Sequence, residues 1–212
     1  MARKDSKVKQ HILTTTVGMI SELGSEKIRI VDVAREASVG IPTIYYHFDS
    51  RAKLLAEAQF IRYEESVRPV RDLMDQIEAA LAEGDGEAFW SVIDRYVSLV
   101  WSSSQVDSKF EASTTLLDDS VDVEVRGEFL DVMKRQYQRW INVVVAAQAR
   151  DWFDARFDGE ALTSLFWSAS VGQAMTANSA YRQLTSEAMV SLFRMIVQPR
   201  EWARNNDRAV MN

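Results

Sequence analysis

The chain has 212 residues, 47% of them hydrophobic, no cysteine and a net charge of −6. That length and apolar content suffice to bury a core without metals or disulfides, and thiolate chemistry is excluded outright. No run approaches the ~18 apolar residues of a membrane span; the most apolar tract, 140–149, is broken by Asn142 and Gln148.

The first residues are charged but are not followed by an unbroken apolar run, so no signal peptide is expected and a cytoplasmic, nucleoid-associated location is. Net acidity argues against a nucleic-acid partner until its distribution is considered. Residues 1–53 carry nine Lys or Arg against six Asp or Glu, whereas the remainder carries 16 basic and 25 acidic side chains. A basic head on an acidic body is the asymmetry of a protein of which one end approaches phosphate, and a small cluster by chance is the competing explanation.

Taken in chain order, the periodicity is helical almost throughout, and the fold class is all-α with roughly nine or ten helices. Val8, Ile12, Thr15, Met19 and Leu23 recur at three- and four-residue spacing and predict a first helix over about 6–23, stopped by Gly24. A short helix is expected over 30–37 with Val33, Ala34 and Ala37 inward. A third begins after Gly40 and turns Ile44 and Phe48 inward. Asp49 or Ser50 caps a fourth, with Leu54, Ala58 and Ile61 inward, and Pro69 predicts a bend or a fresh start. Further helices are expected over about 70–83, 86–103, 107–119, 122–153, 160–182 and 185–203, the last capped by Thr185. The domain expectation is a head over residues 1–53 and a body over residues 54–212.

Two short helices joined by the tight turn Ser38-Val39-Gly40 have the dimensions of a helix-turn-helix. Val39 sits where it can plug the angle between them, and Pro42 falls in the first turn of the second helix, where its missing N–H costs nothing. With Ile44 and Phe48 inward, Thr43, Tyr45, Tyr46 and His47 are displayed on the remaining surface beside Arg51 and Lys53. Hydroxyl, phenol, imidazole and cationic groups there are suitable donors to phosphate. Ile41 and Pro42, at the leading end, suit thymine methyls in a major groove. Arg51 also lies at the positive end of the next helix. Tyr45 packing between helices and His47 as a bonded interface histidine are the competing readings. Lys7 and Lys9 are further phosphate candidates from charge alone, or plain solvated charges.

This segment resembles the DNA-binding head of the TetR family, whose recognition element reads approximately Ala-Gly-Val-Ser-x-x-Thr-Leu-Tyr-x-His-Phe, followed by a Lys and paired leucines. Ala37, Val39, Thr43, Ile44, Tyr45, His47, Phe48, Arg51, Leu54 and Leu55 stand in matching or similar positions. Ser38 replaces the usual turn glycine, Gly40 the usual serine cap, and Arg29 the usual threonine. The resemblance covers about residues 6–60. It implies mainly phosphate contacts at Thr43, Tyr45, His47 and Arg51, backbone or base contacts at Tyr46, and base edges near Ile41, Pro42 and Thr43. It further implies a homodimer on a pseudo-palindromic double-stranded DNA operator, with a small-molecule effector in the body. That effector would shift the helix over about 51–66 and so change the spacing of the two recognition helices. Repression is the commoner output of the family.

The body holds all six tryptophans. Most large aromatics at helical spacing are core, but Trp90, Tyr96, Trp101, Met133, Tyr137, Trp140 and Trp167 are the candidates to line an effector cavity for an apolar or aromatic ligand. Near the C-terminal end, Leu162, Leu165, Ala169 and Gly172 form one stripe with small residues at its centre. Met189, Leu192, Phe193 and Ile196 form a second, and together they suit a dimer interface, or else the body's own core. An enzyme lacks parts: two histidines, both in the head, no Gly-rich phosphate loop and no His-Glu-x-x-His pair. No metal or other cofactor is expected. A protein-binding adaptor or co-activator with a non-functional head is the remaining alternative.

Overall fold

The structure, a computed structural model, describes residues 2–102, 116, 121–176 and 184–199, with side chains from residue 6 onward. Eight α-helices and one 3-10 turn make up the described residues: α1 (Ala2–Leu23), α2 (Ile30–Glu36), α3 (Ile41–Phe48), α4 (Arg51–Glu83), α5 (Gly86–Val100), α6 (Val123–Gln148), α7 (Gly159–Thr176) and α8 (Ser186–Val197). None is long and apolar enough to cross a membrane. The helix expected over 107–119 lies almost wholly outside the described residues.

The chain divides into two compact units. The first takes the described residues up to Ser66 together with Leu116 and those from Val121 to Asp131, and the second takes the rest. The first is built on Ile12, Ile20, Ile28, Val33, Ala37, Ile44, Phe48, Leu54 and Ala58. Gly24, at φ 81, ends α1, a conformation glycine adopts without steric cost. The inward residues expected on α2, α3 and α4 are buried or packed against this core. On α1 the buried face is turned from the expected stripe: Thr16 and Ile20 join Ile12, while Leu23 is exposed. Thr16 tolerates the core because its hydroxyl donates to the Ile12 carbonyl at 2.8 Å, leaving no polar group unsatisfied.

Pro69 neither ends nor restarts a helix, for α4 runs unbroken from Arg51 to Glu83. A proline removes one intrahelical hydrogen bond, and a helix of 33 residues retains enough others to carry it. Ser50 caps α4, accepting from the Lys53 N–H at 3.0 Å. Asp85 caps α5 and Thr185 caps α8, as expected of Thr185. α6 stops at Gln148, earlier than expected, because the chain turns there and Asp151 takes φ 56.

The second unit has a larger aromatic core, in which Phe89, Trp90, Trp101, Phe153 and Phe193 are buried with Ile77, Ile93, Val143, Ala147 and Val197. Two ion pairs tie its helices. Arg139 of α6 donates to both carboxylate oxygens of Glu78 at 2.8 Å and also to Asp75, both on α4, and these hydrogen bonds, Glu78 first, raise its already high pKa. Arg194 of α8 grips Asp94 of α5 at 2.8 and 2.6 Å, with its guanidinium 4.7 Å from the Trp90 ring centroid.

Ser38 adopts φ 54 in the turn between α2 and α3, a left-handed conformation that costs a side-chain-bearing residue roughly 1 kcal/mol. Glycine relieves that strain but has more freedom to lose on folding, so Ser38→Gly is expected to stabilise the protein by about 0–1 kcal/mol in chemical denaturation, whereas Ser38→Val should destabilise it.

Candidate nucleic-acid interface and body cavity

α3 has eight residues and no side-chain cap at Gly40, whose extended backbone (φ −75, ψ 146) any residue could adopt. So short a helix has little intrinsic stability and is held by what it buries. Ile44 and Phe48 are fully buried. That fixes the helix rotation, exposing Ile41, Pro42, Tyr45 and Tyr46 and leaving Thr43 and His47 at intermediate exposure. Tyr46 is 71% exposed, unusual for a residue with so much apolar surface. His47 lies edge-on to Tyr46 and to Phe48, at 5.0 and 6.2 Å between ring centroids. Val39, half-buried against the head core, bridges the turn through its N–H to the Ala34 carbonyl at 2.9 Å.

The cations around α3 are more engaged than the sequence indicates. The Arg51 guanidinium donates to the carbonyls of Ile28, Ser25 and Glu26 at 2.8, 3.1 and 3.3 Å. It therefore staples the segment between α1 and α2 to the start of α4. Lys9 pairs with Glu57 at 2.8 Å and lies 5.3 Å from the Phe48 ring centroid. Lys53 lies within 4 Å of three carboxylates, Asp49, Asp122 and Glu124. His11, a residue assigned no part from sequence, contacts the Ala37 carbonyl through Nε2 at 3.2 Å and so braces the end of α2 against α1. Its spacing carried no signal, because its partner is a backbone carbonyl 26 residues away.

In the second unit an apolar cavity, partly open to solvent, lies among α5, α6, α7 and α8. Of the effector-site candidates, Tyr96, Trp101, Trp140 and Trp167 line it, joined by Phe153, Phe166 and Phe193, which the sequence did not single out for this role. Trp90, Met133 and Tyr137 are not in the lining. Trp90 is buried against Phe89, Phe153 and Arg194. Tyr137 shares a hydrogen bond with Ser164 and meets the Trp167 ring edge-on. Among the described residues the lining is aliphatic and aromatic apart from three hydroxyls, and none of them is charged. Burial pushes the Tyr96 phenol up to about 12, against the smaller opposing effects of the Trp140 hydrogen bond and the Arg139 charge.

The two stripes near the C-terminal end are split between inside and outside. Leu162, Met189 and Phe193 are buried in the unit's own core, and Leu192 and Ile196 are half-buried against it. Leu165, Ala169 and Gly172 are exposed. Together with Met175 they make a row along α7 at spacings of three and four residues. Among the described residues no group of three His, Cys, Asp or Glu is arranged to hold a metal.

A helix-turn-helix presenting phenols and a hydroxyl outward has the arrangement of a head that docks on DNA. Residues 12–58 match the family model of bacterial regulatory proteins, tetR family. The whole chain has the TetR-regulator fold. It is similar to a TetR/AcrR-family regulator from Thermobifida fusca, with 16% identity, a TM-score of 0.62 and coverage of 88% of this chain and 94% of that one. A TetR-family regulator from Thermus thermophilus gives 16%, 0.55, 88% and 96% in the same order. A protein from Saccharomonospora viridis described as a transcriptional regulator, in complex with choline, gives 22%, 0.64, 92% and 100%. No match was found among curated proteins. Residues 12–58 thus match the DNA-binding head of that family, and DNA binding is the function this match supports.

The Arg51 staple is testable apart from DNA. Arg51→Lys keeps the charge but loses the planar fork that reaches three carbonyls, and should lower the stability of the head by about 1–3 kcal/mol in thermal unfolding. An unchanged melting curve would mean that the guanidinium is not structural.

Proposed function

We propose that the protein is a homodimeric, ligand-responsive repressor that reads a pseudo-palindromic operator and is released when an apolar or aromatic effector enters the body cavity. The observation that carries this reading is the rotation of α3. Burial of Ile44 and Phe48 leaves Tyr45 and Tyr46 exposed and Thr43 and His47 accessible beside them. A face so rich in donors and flat apolar surface suits a DNA backbone and its groove edges. Ile41, Pro42 and Thr43, at the leading end, are assigned to base edges, and Tyr45, Tyr46 and His47 to phosphates and neighbouring bases. Lys53 is assigned to a phosphate that replaces its carboxylate neighbours. Arg51 is assigned chiefly to holding the head together. The site of action is the cytoplasm, at the nucleoid.

The exposed row Leu165, Ala169, Gly172 and Met175 supports a helical dimer interface. Leu165 is 55% and Met175 68% exposed, and a contiguous apolar face of this kind marks an association surface. Space beyond Gly172 is open within 4 Å of where a side chain would begin, as close approach of a second helix requires. Met195 of α8, 73% exposed, extends the apolar surface, with Leu192 and Ile196 at its edge. The cavity supports the effector. A protein of the same fold holds choline, and the uncharged aromatic lining here suits a less polar ligand. The ligand would act by binding one spacing of the two heads better than the other.

Selection of binding sites from random duplex DNA is expected to return a pseudo-palindrome with half-sites one helical turn apart. No enrichment at low salt would favour the adaptor reading, which the engagement of Lys9, Arg51 and Lys53 by protein groups independently motivates. With the selected site in hand, Lys53→Gln should reduce the slope of log affinity against log salt by about 1 per protomer. Leu165→Glu with Met175→Glu changes only exposed positions. It should yield a folded monomer in analytical ultracentrifugation whose operator affinity is lower by roughly a hundredfold or more.

A further inference from the structure

The polar chemistry of the cavity is sparse enough to narrow what fits it. Three hydroxyls line it, and two have already used their protons: Thr163 donates to the Gly159 carbonyl and Ser170 to the Trp167 carbonyl, each at 2.8 Å. Tyr96 differs. Its oxygen accepts from Trp140 Nε1 at 2.7 Å, and its own proton has no acceptor among the described residues. The Trp140 ring, edge-on at 4.7 Å between centroids, fixes the phenol in place. A phenol titrating at about 12 remains a donor throughout the physiological range. An unspent donor in an apolar wall gains from an acceptor that a ligand brings.

Charge narrows the ligand further. Among the described residues no carboxylate lines the cavity, so an ammonium or other cation would meet ring faces alone there. An anion would find no uncommitted cation there among the described residues, since Arg139 is engaged by Glu78 and Asp75. Tryptophan indoles in the wall can only donate.

We infer that the cavity takes an uncharged aromatic molecule carrying a carbonyl-class acceptor, with the carbonyl oxygen accepting from the Tyr96 hydroxyl and the ring seated among Trp101, Phe153, Phe166 and Trp167. This rests on the cavity being the effector site. Tyr96 is then the residue that separates a ketone or ester from a hydrocarbon of the same shape, because a site built to hydrogen-bond one atom rejects the analogue that lacks it.

Three probes with one ring and different heads test this: acetophenone, ethylbenzene and phenyltrimethylammonium, titrated into the full-length protein by calorimetry. The unmodified protein should bind acetophenone roughly three- to tenfold more tightly than ethylbenzene, the ratio expected of one net hydrogen bond. Tyr96→Phe should abolish that ratio. It also leaves Trp140 without its acceptor, but that loss bears on both neutral probes alike, so the ratio isolates the phenol proton. Thr163→Val, which removes a hydroxyl whose proton is already used, should leave the ratio intact. The ratio in the unmodified protein is a test that needs no variant to fold. Equal binding of the two neutral probes, a preference that survives Tyr96→Phe, or tightest binding of phenyltrimethylammonium would overturn the inference while leaving the effector cavity standing. Failure of all three probes to bind would overturn the effector cavity itself.

Discussion

Burial of two side chains, Ile44 and Phe48, is the constraint on which the DNA-facing surface depends. A helix of eight residues without a side-chain cap does not stand alone. Locking those two residues into the head core sets both its position and its rotation. The outward display of Tyr45 and Tyr46 is therefore a by-product of packing and needs no separate stabilisation. The Arg51 staple and the His11 contact act on the same problem from the far side, tying α1, the segment after it and α4 into one frame around α3.

The head was legible in the sequence because its signals are local. The turn length, the proline in the first turn and the run Tyr45-Tyr46-His47-Phe48 in register with it are all read within a dozen residues. What escaped is what depends on neighbours distant in the chain. The buried face of α1 is set by which residues α2 and α3 bring against it, so Thr16 and Ile20 win over Thr15 and Leu23. Pro69 is a strong local signal for a break, overridden by the packing of a long helix.

The body shows the same division more sharply. Aromatic residues at helical spacing mark a core and a cavity lining equally well, and only the packing of four helices separates Tyr96 and Trp140 from Trp90. Stripes of small and apolar residues on α7 and α8 are likewise ambiguous, because those helices are apolar on more than one side. One side closes the core through Leu162, Met189 and Phe193, and the other is left outside with Leu165 and Met175.

The two units rest on unequal cores. The first unit buries three large aromatics among its described residues, Phe48, Tyr63 and Phe129, whereas the second buries Phe89, Trp90, Trp101, Phe153 and Phe193. Large rings contribute most of the apolar area that resists unfolding. The head is thus the softer unit, and warming should melt it first while the body keeps its shape. Under the proposed function, heat then reaches the same end as an effector, by dissolving the surface assigned to DNA instead of moving it.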